Sequence, residues 1–393
     1  MPGMKRRSIW ALLPAALLAF VLTGCGSSGS PAGEDETGLP ELAEPVSNMK
    51  IDHAVAFSVE YLPKDVKLVI DSWGRELVLV PRGTVTPAGH ESALRISTPV
   101  RRVMFTSPAS IGFLEDLEGY GVYSSIAALT WDGPPYTVPA LDEGFASEQI
   151  IYISPESWTE GDIEAIMAAE PDIVFLGTAS EDAALAVLLD EAGIPYATAA
   201  AESVSSSLTL PVSETYLEWV KFFAAFYNLD EEAGSIYEAS LERLEHLYAE
   251  TSSIPEARKP TVAVVSGYDG TVTAPAGNAD IAYLLKKAGA VYALADEAGG
   301  GSVQLEMEEF AERCKEADIL ICTSQLPSDF LTDPLLAECK ALENNRVFAT
   351  DSGYQMKKTH AANELEDLVA ICHPELRESY ELTMYRSLTA SAE

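Results

Sequence analysis

Positive charge is scarce in this chain: 25 Lys and Arg face 61 Asp and Glu, for a formal net charge of -36. Such a surface repels polyanions at long range, which excludes nucleic acid and anionic lipid headgroups as partners. Histidine and cysteine are sparse too, five of each among 393 residues. A bare transition metal needs convergent His and carboxylate ligands. His53 and His90 fall early in the chain, His246 in a helical stretch and His373 near the end, so only His360 lies by a loop that could face a ligand. The chain also lacks a Gly-x-Ser-x-Gly elbow, a phosphate-binding loop and a His-Glu-x-x-His pair, so no familiar enzyme chemistry has its parts here. The apolar run Ile9 to Leu22 is shorter than the roughly 20 residues that span a bilayer.

What the chain does have is a globular composition, 47% hydrophobic with 22% charged residues, and length for more than one core. Lys5, Arg6 and Arg7 before the apolar run read as a secretory signal over residues 1–24. Leu22-Thr23-Gly24-Cys25 resembles a lipobox, after which Cys25 carries lipid as the one covalent group expected on the chain. Residues 25–48 are mainly Gly, Ser, Pro and acidic residues and read as a tether. The other cysteines, Cys314, Cys322, Cys339 and Cys372, lack close metal-ligand spacing and are open between buried thiols and disulfides.

Asn228 to Thr251 organises the remainder. Apolar residues at Ala233, Ile236, Tyr237, Leu241, Leu244, Leu247 and Tyr248 give the three-and-four spacing of one buried helix face. Asn228 and Asp230 are placed to cap its start, and Pro255 and Pro260 follow its end. Upstream, residues 49–98 read as a small antiparallel β-rich preamble. Residues 99–228 then alternate strands with helices, including a helix that Thr215 and Glu218 could open as a capping box. Past the helix, residues 229–252, the alternation restarts over 253–393, with Gly267 to Gly277 as a loop after the first strand. An echo links the halves: Asp162-Ile-Glu-Ala-Ile then Pro-Asp-Ile-Val-Phe, against Met307-Glu-Glu-Phe-Ala then Ala-Asp-Ile-Leu-Ile. The expected fold is α/β, two doubly wound Rossmann-like lobes joined by one long α-helix, behind the β-rich preamble.

From Val100 to Glu375 the chain resembles the substrate-binding proteins of ABC importers for ferric siderophores, haem and cobalamin. The resemblance rests on Pro171-Asp172, Gly289, the Met307-Glu-Glu-Phe and Ala317-Asp318 segment, and Cys372-His373-Pro374-Glu375. It implies a lipid-anchored protein on the extracytoplasmic face that hands an iron chelate or corrinoid to an ABC permease and its ATPase. It further implies one docking Glu per lobe, Glu164 and Glu308, with Glu306 and Glu309 as neighbours in register.

An open doubly wound sheet binds ligands beyond the carboxyl ends of its strands. That rule selects Ser107, Trp131, Tyr136 and Thr178 from lobe one and Tyr268, Asn278, Gln325, Tyr354 and Gln355 from lobe two. Aromatic and amide groups of this kind suit a large, partly apolar organic ligand. The alternative is a surface-anchored enzyme or cell-wall module on the same bilobed fold.

Overall fold

The computed structural model describes residues 45–388, apart from 91–92, 131–137, 154–157, 178–179, 200–211, 324–325, 328, 352–353 and 355–359. Cys25 and the signal lie outside the described residues.

Five strands open the described chain: β1 (Ser47–Asn48), β2 (Ser58–Leu62), β3 (Val66–Ile70), β4 (Glu76–Pro81) and β5 (Leu94–Thr98), side by side in that order. The pairing is antiparallel except between β4 and β5, which run parallel. The wholly antiparallel preamble expected from sequence is therefore corrected. β4 ends at Pro81 and β5 begins at Leu94, which leaves the length of chain that a parallel pair needs between its strands.

Lobe one is a parallel sheet of β6 (Val103–Phe105), β7 (Ile126–Leu129), β8 (Ile151–Tyr152), β9 (Ile173–Leu176) and β10 (Tyr196–Thr198), in the order β10-β9-β6-β7-β8. Its strands are apolar on both faces because both are covered. On one face Phe105 and Phe175 stack at 5.0 Å and meet Phe222, Phe223 and Phe226 of the helix Val212–Tyr227. On the other, Met104, Val174 and Leu176 pack with Ile163 and Ile166 of the helix Glu160–Ala169 and Leu185 and Leu189 of the helix Ser180–Ala192. The open edge at β10 is covered by the preamble: the Ser72 amide donates to Thr198 O at 3.3 Å, and the Thr198 amide to Asp71 Oδ2 at 3.1 Å.

Lobe two contains β11 (Thr261–Val265), β12 (Gly267–Tyr268), β13 (Val272–Pro275), β14 (Val291–Tyr292), β15 (Ser302–Leu305), β16 (Ile319–Cys322), β17 (Val347–Thr350) and β18 (Tyr385–Ser387). The main sheet runs β14-β11-β16-β17-β18, with only β18 antiparallel. The segment Gly267 to Gly277, read from sequence as a loop, instead supplies β12 and β13 of a small antiparallel sheet, β12-β13-β15. Buried Val272 and Ala274 flanking half-buried Thr273 give β13 the two-residue period of a strand.

The echo between the halves has a physical cause. Asp172, just before β9, accepts the amides of Arg101 at 2.7 Å and Arg102 at 3.2 Å. Asp318, just before β16, accepts the amide of Thr261 at 2.9 Å. In each lobe one carboxylate thus satisfies backbone donation at the start of the lobe's first strand, which neighbours its own. Gly289 and His373 meet as well. His373 Nε2 lies 3.1 Å from Gly289 O, and a Cβ on Gly289 would come within 2.9 Å of Ile254 and 3.2 Å of that imidazole.

Between the two main sheets the chain makes the helix Val212–Tyr227 and then one unbroken helix, Asp230–Ser252, of 23 residues. At about 1.5 Å per residue the second is roughly 34 Å long. Ala233, Tyr237, Leu244, Leu247 and Thr251 are its buried face, close to the stripe read from sequence. Its expected caps are corrected. No side chain caps the helix, and Asn228 Oδ1 and Asp230 Oδ2 instead accept from buried Lys67 Nζ at 3.1 and 2.5 Å. The Thr215 and Glu218 capping box is corrected too, since that helix begins at Val212 and Glu218 turns to the preamble.

One apolar cluster runs without interruption from the preamble through both helices into lobe two. Arg377 adds a bidentate contact to Glu250 at 3.0 and 2.6 Å. Wide hinge closure would break this packing, so ligand binding should change the interlobe angle by only a few degrees. Small-angle scattering with and without ligand checks this, and a large compaction would contradict it.

Candidate functional site

In each main sheet the first strand of the lobe is internal, central in lobe one and second of five in lobe two, and the chain winds outward on both sides of it. The crevice at such a switch point opens between β6 and β9 in lobe one, and between β11 and β16 in lobe two.

Thr106 organises the first crevice. Its amide donates to Phe175 O at 3.1 Å, and its hydroxyl accepts the Gly177 amide at 3.0 Å. Thr130 Oγ1, beyond β7, donates to Thr106 O at 3.0 Å. The loops after β6, β7 and β9 are thereby tied together. Ser107 is the next residue, and it is packed where Gly177 leaves room: a Cβ there would lie 3.2 Å from Ser107 Cβ and 3.1 Å from Asp182 Oδ2. Asp182 is buried in the first turn of the helix Ser180–Ala192, so a carboxylate stands at this crevice. Trp131, Tyr136 and Thr178, also expected here, lie outside the described residues.

The second crevice repeats the plan. The Thr323 amide donates to Val265 O at 2.9 Å across the switch point, and the Ser266 amide to Thr273 O at 2.8 Å. Tyr268 is half-buried and packs on Phe330 with ring centroids 5.2 Å apart. Asn278 is exposed, its amide donating to Gly299 O at 3.0 Å. Gly277 beside it admits no side chain, because a Cβ would stand 2.3 Å from Ala295 O. Gln325 and Gln355 lie outside the described residues. Tyr354 is turned inward instead: its hydroxyl donates to buried Glu364 at 2.5 Å, and burial, then Glu364, holds it protonated far above the usual range. Sequence reasoning missed Thr106, Thr130 and Thr323. The legible signal was a Thr directly after each apolar strand run, Phe105-Thr106, Leu129-Thr130 and Cys322-Thr323.

The two lobes also touch away from these crevices. Tyr216 OH donates to Asp280 Oδ2 at 3.3 Å, joining the helix Val212–Tyr227 to the helix Asp280–Lys287. His360 lies 3.3 Å from Asp116 Oδ1 and 3.8 Å from Glu115 Oε2, so this imidazole faces lobe-one carboxylates. Among the described residues no group of His, Cys, Asp and Glu is arranged to hold a metal ion.

Glu164 is exposed on the helix Glu160–Ala169, directly after buried Ile163; Glu308 is exposed on the helix Met307–Cys314, directly after buried Met307. Aligning Ile163 with Met307 also aligns Ile166 with Phe310, both buried. The burial register therefore matches Glu164 to Glu308 rather than to the exposed Glu306 or Glu309. Neither makes a hydrogen bond or ion pair among the described residues.

The sequence profile described as "Periplasmic binding protein" matches residues 146–354, which run from the middle of lobe one to the loop after β17. An uncharacterized lipoprotein of Methanocaldococcus jannaschii is 28% identical over 324 residues, 79% of this chain and 75% of the relative. A periplasmic solute binding protein from Veillonella parvula superposes with a TM-score of 0.55 at 16% identity, covering 81% of this chain and 89% of that one. A possible iron-binding (periplasmic solute-binding) protein from Staphylococcus epidermidis gives 0.52 at 15% identity, covering 70% and 100%.

Proposed function

Because this chain belongs to the periplasmic binding protein family, the extracytoplasmic solute-binding components of ABC transporters, we propose that its cargo is a metal chelate, a ferric siderophore ahead of cobalamin or haem. Members of that family bind and hand over solutes and are not enzymes. The observation that carries the proposal is the pair of crevices at the carboxyl ends of the two main sheets; the family profile spans β9 of the first sheet and β11, β16 and β17 of the second. Ser107, Tyr268 and Asn278 then offer the cargo hydroxyl, aromatic and amide contacts, joined by Trp131, Tyr136, Thr178, Gln325 and Gln355. Tyr354 acts behind them as a core residue. The iron reading is supported by the likeness to the possible iron-binding protein of Staphylococcus epidermidis. In this reading Glu164 and Glu308 dock on the permease, and the docked importer's ATPase drives transfer.

Intrinsic tryptophan fluorescence titrated with a ferric hydroxamate, cobalamin and haem tests the cargo class. A saturable change with the ferric chelate supports it, and no saturable change with any of the three overturns it. Mass spectrometry of material co-purifying from the native host names the compound.

The lipid on Cys25 is part of the same proposal, supported by the lipoprotein description of the Methanocaldococcus jannaschii relative. Among the described residues no helix is long and apolar enough to cross a membrane. Replacing Cys25 with Ala should therefore move the protein from the detergent phase to the aqueous phase on phase partitioning. Equal retention of both forms would reject the anchor. A lipid tether confines captured cargo near the permease in two dimensions and raises its effective concentration.

A further inference from the structure

Disulfides persist outside the cytoplasm, yet all four cysteines of lobe two are buried thiols in this fold. Two of them are neighbours. Cys314 ends the helix Met307–Cys314, and Cys339 directly precedes the helix Lys340–Glu343. One residue beyond each, the segments are joined backbone to backbone, with the Lys340 amide donating to Lys315 O at 3.0 Å. Cys339 Sγ lies 3.6 Å from Cys314 O. Burial pushes the Cys314 thiol up to about 12, and Cys339 is the next cause of that rise. Cys322 and Cys372 are also pushed up to about 12 by burial, but no other cysteine contributes to either. A disulfide bridges Cα atoms about 4.4–6.8 Å apart, so it needs segments that lie side by side, as these two do through the Lys340 to Lys315 backbone bond.

We propose that Cys314 and Cys339 form a disulfide as the chain folds outside the cytoplasm, while Cys322 and Cys372 remain thiols. The oxidant is a disulfide, such as oxidised glutathione. The Cys339 thiolate attacks one of its sulfurs, forming a mixed disulfide and releasing one thiolate. The Cys314 thiolate then attacks Cys339 Sγ, forming the internal bond and expelling the second thiolate. The pair loses two protons and two electrons, and the oxidant is reduced to two thiols. Exchange precedes packing, because the folded chain leaves these two residues 0% and 2% exposed. The bond pins one end of the helix whose other end presents Glu308, and this consequence rests on the docking reading above.

The test uses the full chain refolded with oxidised glutathione, denatured in iodoacetamide without reductant, and mapped by peptide mass. A Cys314–Cys339 cross-linked peptide with alkylated Cys322 and Cys372 is expected, and Cys25 is read on its own peptide. Alkylation of all four, or a bond between any other pair, overturns the proposal. Dithiothreitol should lower the Tm of the oxidised chain by a few degrees and leave Cys339→Ser unmoved, whereas an oxidised chain indifferent to reductant counts against it. Refolding in vitro does not depend on export or docking, so failure here is distinct from failure of the cargo and anchor readings.

Discussion

Reversing Glu164 and Glu308 together to Arg should abolish cargo uptake while leaving cargo affinity within about twofold. Both residues lie on exposed helix faces and engage no described partner, so the fold does not depend on them. Exposed substitutions of this kind change stability by about half a kcal/mol or less. Uptake is different if each carboxylate meets an Arg of the permease. Reversal then removes two attractions and installs two repulsions at one interface, a loss of several kcal/mol and so of roughly a hundredfold or more in productive docking. The paired measurement is the cargo dissociation constant of the purified double variant and radiolabelled uptake by cells carrying it. Unchanged uptake would reject docking through these two and turn attention to Glu306 or Glu309. Lost cargo binding with intact folding would instead place them in the crevice.

The architecture was legible because it is written in local periods. The linking helix shows as a three-and-four stripe, and β9 and β16 show as unbroken apolar runs entered through Asp172 and Asp318. What could not be read were partnerships across long sequence separations. Asn228 and Asp230 look like caps, and only the folded chain shows both turned to Lys67 from β3. Thr215 and Glu218 match a capping box, but the buried run starting at Ser213 shows the helix already formed there. β7, Ile126–Leu129, is four residues long and follows directly on the short helix Val122–Ser125, so no local period sets it apart. At the site, the strand-end rule selects Ser107, Tyr268 and Tyr354 alike by position and does not separate the crevice from the layer beneath it. Tyr354 satisfies the rule by position, and its hydroxyl is nonetheless committed to Glu364.

Replacing Glu218 with Ala should detach the preamble and lower the Tm by roughly 5 °C. Glu218 is fully buried on the helix Val212–Tyr227, and its carboxylate accepts the amides of Asp52 at 2.8 Å, His53 at 2.6 Å and Ala54 at 2.8 Å. It also accepts from Lys221 Nζ at 2.7 Å, whose ammonium lies 3.9 Å from the centre of the Tyr237 ring. Truncation orphans three backbone donors and leaves the buried Lys221 ammonium, which keeps Lys50 O at 2.9 Å, without its counter-charge. Each orphaned donor costs about 1–3 kcal/mol and a broken buried ion pair about 3–5 kcal/mol, and these overlap, so about 4 kcal/mol is a fair total. With an unfolding entropy of about 2.1 cal/mol/K per residue, a chain of this size loses roughly 1.2 °C per kcal/mol. Glu218→Gln keeps an acceptor while losing the charge, and should fall between the variant and the wild type. The loss should be local as well as global: limited proteolysis should cut residues 45–98 more readily in the Ala variant while the lobes resist, because the carboxylate ties residues 52–54 of that segment to the helix Val212–Tyr227. A Tm within about 1 °C of wild type, together with an unchanged digestion pattern, would mean that the preamble is held by its apolar contacts through Phe57 and Trp219, 4.9 Å apart, and that the carboxylate is dispensable.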